Sequence, residues 1–180
     1  MNYFLRELKK EDKDILYKWR NKEEIRLHMF HSTPISYEQH VKWFENVLQH
    51  QSSVYRIFMN QNTPLGLVSF KINPQHQTCF WGFYVGEETA PKGTGSIMCS
   101  LALDYAFDYL KLRKVIGEVL AFNKKSIKLH QKLGFSQEGY FNKEIIRDGE
   151  FIDVIRFALF EEDWVNHKKQ LNIPYIQRSD

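Results

Sequence analysis

At 180 residues, with 43% hydrophobic and 26% charged side chains, the chain is large enough for one continuous core that needs neither disulfide nor metal. Its net charge of +3 is too small and too evenly spread for a nucleic-acid binder, yet it suits an anionic ligand. No basic-then-apolar leader opens the sequence and no apolar run approaches a membrane span, so a cytoplasmic protein without membrane association is expected.

In chain order, residues 3–8 alternate as a first strand. Glu11 to Asn21 follows as an amphipathic helix with Ile15, Leu16 and Trp19 inward. A short second helix covers Glu23 to Met29. Ser36 and Gln39 have the spacing of a capping box, which starts a third helix running to about Gln49 with Val41, Trp43, Phe44 and Leu48 on its apolar side. The runs VYRIFM and LGLVSFKI, parted by a turn at NQNTP, form a hairpin. TCFWGFYVG, from Thr78, reads as a central strand buried on both faces. A helix over 96–111 carries Met98, Leu101, Ala102, Tyr105, Ala106 and Tyr109 at helical spacing.

KVIGEVLA is the next strand, and a helix from Lys124 to Leu133 is closed by Gly134. Two last strands flank an Asp148-Gly149 turn, and Glu161 to Leu171 forms a final helix. The order β-α-α-α-β-β-β-α-β-α-β-β predicts an α/β fold with a mixed sheet flanked by helices, as one domain over 1–171 and a frayed tail over 172–180. Cys79 and Cys99 lie in apolar runs without metal or redox spacing; buried free thiols are expected, and no metal site.

Two stretches carry chemistry. Lys92-Gly93-Thr94-Gly95 leads from the central strand into the 96–111 helix. Glycines let the backbone approach a ligand, and the first helical N–H groups are unpaired, so strand, glycine turn and helix together suit a phosphate or pyrophosphate. The spacing is neither that of a P-loop nor G-x-G-x-x-G, and an ordinary turn would look the same. In the second stretch Asn123, Ser126 and His130 stand three and four apart on one helix face. Alone, Asn123 reads equally as an N-cap and Ser126 as a first-turn polar residue. A lone helical His is more often structural than catalytic.

Together the two stretches resemble the GNAT acyl-coenzyme A N-acetyltransferases. The family signature [QR]-x-x-G-x-[GA] is met by Ala90 to Gly95, with Ala90 departing from the usual Gln or Arg. The pattern N-x-x-[SA]-x-x-[LF]-[YH]-x-[KR]-x-G-F is met by Asn123, Ser126, Leu129, His130, Lys132, Gly134 and Phe135. The resemblance implies two splayed strands, 80–85 and 115–121, with acetyl-CoA as cosubstrate between them. It places pantetheine along Phe83, Tyr84 and Val85, and the pyrophosphate on Lys92, Gly93, Thr94, Gly95 and Ser96. Asn123, Ser126 and His130 complete that binding set. By the same resemblance the Val85 N–H serves the oxyanion, and His130 stands where the family commonly has a Tyr that protonates the departing thiolate. An imidazole there either transfers a proton or only orients the thioester. No carboxylate among Glu87, Glu88 and Glu118 stands out as general base, so deprotonation through water is expected.

Trp19-Arg20-Asn21, Ile25-Arg26 and Met29, then Ile35-Ser36 and His40, resemble a narrower group, the PseH-type enzymes. The acceptor this implies is the 4-amino group of a UDP-linked 4-amino-4,6-dideoxy sugar, in pseudaminic acid biosynthesis for flagellin glycosylation. Ribosomal-protein N-terminal acetyltransferases share the WRN run and offer the alternative, a peptide amine. For the sugar, Arg20 and Arg26 suit a diphosphate. Asn21, Met29 and His40 join them as acceptor-site candidates. Ser69 and Lys71 alternate onto one strand side, where Ser69 would relay the amine proton and Lys71 hold phosphate, unless that side is an ordinary solvated face. Tyr84 or Trp81 offers a uracil stack. The exposed edges of the late hairpin offer a surface through which two subunits could pair as a homodimer.

Overall fold

The structure is a computed structural model, described here for residues 2–49, 53–171 and 173. Seven strands form one sheet in the order β1-β2-β3-β4-β5-β7-β6. They are β1 (Tyr3–Glu7), β2 (Ser53–Asn60), β3 (Thr63–Asn73), β4 (Thr78–Val85), β5 (Lys114–Leu120), β6 (Ser136–Arg147) and β7 (Glu150–Phe160). Every neighbouring pair is antiparallel except β4 and β5. The parallel step needs a crossover, supplied by α4 (Thr94–Asp104).

Period-two alternation sorts the side chains into two cores. On one face Phe58, Val68, Phe70, Cys79, Trp81, Val115, Val119, Phe157 and Leu159 meet α4 and α6 (Glu161–His167). On the other Ile57, Met59 and Leu67 receive Leu16 and Trp19 from α1 (Lys13–Asn21), Ile25 from α2 (Glu23–Arg26) and Phe44 from α3 (Tyr37–Gln49). This second cover reaches only the β1–β4 half of the sheet. The expected mixed sheet flanked by helices is therefore present, and both cysteines are buried free thiols.

The capping box forms as the spacing predicted: Gln39 N–H donates to Ser36 Oγ at 3.2 Å, and Ser36 N–H to Gln39 Oε1 at 2.9 Å. The last hairpin turns on Asp148 and Gly149, both at positive φ (52° and 82°), as a type I′ turn requires. Five expectations are corrected, beginning with the final helix, which ends at His167 and not at Leu171. The α2 helix ends at Arg26, not Met29. The helix expected over 96–111 runs as α from Thr94 to Asp104 and then takes a π turn over Tyr105–Tyr109. That extra residue per turn rotates Tyr109 out to solvent, where it stacks on Tyr105 with ring centres 4.9 Å apart. Leu48 is exposed. And β4 is not buried on both faces, since Phe80 is exposed and Gly82 to Val85 are only half-buried.

That last difference has a cause. The β4–β5 ladder holds only at Thr78–Lys114, Cys79–Val115 and Phe80–Ile116. Beyond Phe80 the strands part, as expected, and the upper half of β4 lines open space. The tail assigned to 172–180 lies outside the described residues apart from Ile173, which is buried against the main core.

Candidate active site

The open space between the parted strands has a backbone-built wall. Gly86 donates its N–H to Leu65 O on the β3 side at 2.9 Å. Successive residues of a strand alternate, so the N–H and C=O of Val85 and Phe83 turn the other way, into the gap where β5 has left. The Val85 N–H is thus available to an oxyanion, and the Phe83–Val85 edge to an extended amide-bearing chain.

Above the gap, Gly93 takes φ +91° and precedes the first turn of α4. The Thr94 and Ser96 amides are turned inward, to Pro91 O (3.2 Å) and Gly93 O (2.9 Å), and Thr94 Oγ donates to Pro91 O at 2.6 Å. Among the described residues the amides of Lys92, Gly93 and Gly95 have no acceptor. A Cβ at Gly93 or Gly95 would meet nothing within 4 Å, so the approach to these amides is clear. Free amides, an open approach and the positive helix end together fit a pyrophosphate. Lys132 adds a cation that the sequence reading did not place there: its Nζ donates to Ser96 Oγ at 3.2 Å. It stands on the helix whose motif was already legible, but only folding shows that it reaches across to the first turn of α4. Ala90 leaves the cradle without the family's usual polar side chain, and Lys132 brings charge to the same end.

Below, α5 (Lys124–Lys132) begins with Asn123 as N-cap, Oδ1 accepting the Ser126 N–H at 3.1 Å. His130 is only 2% exposed. Its Nδ1 lies 2.8 Å from Ser126 O and 3.4 Å from Ser126 Oγ, while Trp81 Nε1 donates to its Nε2 at 3.1 Å. Burial lowers its pKa to about 4, with the Ser126 carbonyl opposing the fall. Trp81 is therefore a buried partner of His130 and not a surface for a base to stack on.

On the far side of β4 a cavity of about 480 Å³ opens between α1, α3 and the sheet. Leu16, Met29, Ile35, Trp43, Tyr55 and Leu67 make apolar walls; Arg20, His31, Gln39, His40, Ser69 and Tyr84 bring polar groups; Gly82 and Phe83 join it to the gap. Arg20 donates from Nη2 to His31 O at 2.7 Å, whereas its buried Nη1 has no partner. Desolvation lowers its pKa, which marks a cation short of counter-charge. His40 places Nε2 2.7 Å from Lys13 O, which makes that nitrogen the donor and leaves the buried Nδ1 an unpaired acceptor. Ser69 Oγ donates weakly to Gly82 O at 3.3 Å. Burial raises the Tyr84 pKa, so the phenol stays neutral.

Three acceptor-site candidates fall outside this lining. Asn21 clamps the loop before α3, donating to Ile35 O and accepting from Ile35 N–H (3.0 and 2.9 Å). Arg26 donates to Ser32 O at 2.9 Å and pairs with Glu23. Lys71 follows Ser69 on the same strand side but is exposed beyond the cavity. Conversely, His31, Gln39, Trp43 and Tyr55 line the cavity without having been singled out as ligand-facing. In the sequence Gln39 reads as part of a capping box and Trp43 as core. His40 and Trp43, three apart on α3, were the available signal. Each candidate carboxylate has a partner: Glu118 holds Arg156 (Nε 2.9 Å), Glu88 pairs with Lys22 (2.7 Å), and Glu87 accepts from Thr89 (2.9 Å). Among the described residues no cluster could hold a metal ion, and no helix is long and apolar enough to cross a membrane.

The chain is similar to acetyltransferase PseH of Campylobacter jejuni subsp. jejuni serotype O:23/36, with 28% identity over 130 residues, 72% of this chain and 80% of the relative. It is similar over a longer stretch to the spermidine N(1)-acetyltransferase of Vibrio cholerae, with 25% identity over 168 residues, 92% of this chain and 96% of the relative. The crystal structure of the Vibrio cholerae spermidine N-acetyltransferase in complex with CoA and spermine superposes with a TM-score of 0.85 at 24% identity, covering 92% of this chain and 99% of that one. The acetyltransferase (GNAT) domain model matches residues 2–136. With strands parted over a glycine-built anion cradle, and with that match, the chain belongs to the GNAT acetyltransferases and is an acetyl-CoA-dependent N-acetyltransferase.

Proposed function

We propose that the acceptor is an amine on a nucleotide-linked sugar, the 4-amino group of a UDP-4-amino-4,6-dideoxy sugar, as in the pseudaminic acid route. The observation that carries this reading is the unpaired, buried Nη1 of Arg20 in a cavity whose described lining holds no carboxylate. A diphosphate is a natural partner for a desolvated guanidinium. Trp43, Tyr55 and Tyr84 offer rings for a base or sugar face, and His40 Nδ1 can accept from a base N–H or a sugar hydroxyl.

Acetyl-CoA supplies the acetyl group as an activated thioester. The cavity holds the amine toward Gly82 and Phe83, where the two sites meet, and Val85 N–H stabilises the oxyanion formed on attack. Ser69, beside Gly82, hands the amine proton to water, because none of Glu87, Glu88 and Glu118 lies in the described lining of the cavity. Lys92, Gly93, Gly95 and Lys132 hold the pyrophosphate. A cytoplasmic setting, where acetyl-CoA is made, fits this chemistry.

A polyamine is the second reading, favoured by the spermidine N(1)-acetyltransferase relative, which the chain matches along 92% of its length. A polyamine carries several positive charges at neutral pH, which nearby carboxylates would favour and a nearby cation would oppose. The described residues lining this cavity include no carboxylate, and Arg20 would repel it. A peptide N-terminus is disfavoured by the same cation-bearing pocket. The test is thiol release from acetyl-CoA with a UDP-4-amino sugar, spermidine or N-terminal peptides offered separately. Turnover on the sugar nucleotide is expected; efficient release only with spermidine or only with peptide would overturn the proposal.

A further inference from the structure

The strands part at one residue pair. Ladder bonding ends at Phe80–Ile116, and the next pair along, Trp81 and Gly117, is where the gap begins. A methyl group at Gly117 would stand 2.4 Å from His130 Nε2 and 2.7 Å from Trp81 Nε1. The space beside Gly117 is therefore already filled by the hydrogen-bonded Trp81–His130 pair. Only glycine lets these two side chains sit against β5 at that point.

We propose that His130 acts as a neutral wedge that holds β4 and β5 apart, and not as the proton donor that its place in the family motif implies. The argument starts from hydrogen-bond roles. An indole N–H can only donate, so Nε2 of His130 is an acceptor and carries no proton. In a neutral imidazole the proton then sits on Nδ1, and its acceptor is Ser126 O at 2.8 Å. Both nitrogens are committed.

The surroundings disfavour a second proton. From β4 the ring meets Trp81 and Phe83, from β7 Phe157, after α5 Phe135, and from β5 the bare Gly117. None of these is charged or titrates near neutrality, and on its own helix the ring meets Ser126. The lowered pKa agrees with this shell. To protonate a thiolate, His130 would have to give up one of its two bonds. As a positioning residue it instead keeps open the edge of Phe83–Val85 that receives the thioester.

The reaction balances without it. The nitrogen–acyl bond forms as the carbon–sulfur bond breaks, the amine loses one proton to water, and the thiolate takes one from water. The inference rests on acetyl transfer, which the family establishes, and not on the identity of the acceptor. A failed sugar assay would therefore leave it standing.

The deciding experiment is a nitrogen-15 NMR titration of the His130 ring in the ligand-free protein. A fixed Nδ1–H tautomer from pH 8 down to pH 5 is expected; a ring that titrates near its ordinary pKa of about 6.5 would overturn the wedge. Kinetics on His130→Gln give an independent readout. The wedge predicts that KM for acetyl-CoA rises about tenfold while kcat falls less than about threefold, with a pH profile parallel to wild type. A proton donor predicts a kcat lower by about 100-fold or more, an unchanged KM, and loss of the corresponding pH limb. Should His130→Gln fail to fold, Trp81→Phe separates the same ideas. A wedge loses acetyl-CoA affinity when the indole bond goes, whereas a donor freed of that bond keeps its affinity and its turnover.

Discussion

The two halves of the active site are built from different materials. The half we assign to acetyl-CoA is mostly backbone: free amides at Lys92, Gly93 and Gly95, a helix end, and the Phe83–Val85 edge exposed where the β4–β5 ladder stops. The half we assign to the acceptor is mostly side chains, carried by α1, α3, the loop between them and the sheet. Backbone is the same in every sequence and needs only glycines and a turn to expose it. A wall of side chains can be redrawn one residue at a time. On our assignment, the backbone-built half would serve the acetyl transfer common to the GNAT acetyltransferases, and the side-chain half would set which amine is accepted.

The joint between the halves should give the largest effect. His130 is neutral when folded, with a pKa near 4, and returns to about 6.5 when unfolded. Below pH 6.5 the unfolded chain binds the proton that the folded one refuses. The folded state is therefore favoured fully above that pH and loses about 3 kcal/mol as pH falls from 6.5 toward 4. Denaturant melts across that range should show the loss, and a flatter curve in His130→Gln assigns it.

Gly95→Val probes the backbone half. Its side chain would stand in open space in the free protein, so the melting temperature should hold while acetyl-CoA affinity falls by about 100-fold through conflict at the diphosphate. Calorimetric affinity near wild type would move the cofactor elsewhere. Arg20→Leu probes the side-chain half. Losing a charge-assisted contact should raise the acceptor KM by about 30-fold, equivalent to about 2 kcal/mol, and leave the acetyl-CoA KM alone. A shift in both constants would blur the division between halves. Lys132→Met should give the smallest change, a roughly threefold weaker acetyl-CoA affinity that vanishes as salt rises, since the lysine is exposed.

The same contrast explains what could be read from sequence. Asn123 to Phe135 and Lys92 to Gly95 are contiguous, so their cap, glycine and helix roles show in spacing alone. The parting of the strands followed from the family pattern, but its pivot did not. That pivot joins Trp81, Gly117 and His130, which lie on three different elements. Among the acceptor-site candidates, Arg20, Met29, His40, Ser69 and Tyr84 do converge, whereas Arg26 and Asn21 are spent on folding their own loops and Lys71 lies outside the cavity. Nothing local distinguishes an arginine that ties a loop from one left with a free nitrogen. The cavity lining at His31, Gln39 and Tyr55 was likewise invisible, because it depends on how α3 and its preceding loop lie across β2 and β3. The π turn at Tyr105 escaped because the apolar spacing runs on as if the helix were regular.

The central claim is that one cleft has two chemically distinct ends, and amide chemical-shift mapping addresses it residue by residue. Adding CoA should move Phe83, Val85, Lys92, Gly93 and Gly95, and adding UDP to that complex should then move Arg20, His40 and Trp43. UDP that moved only the Gly93–Gly95 turn, together with spermidine that moved the Arg20 pocket, would contradict the account.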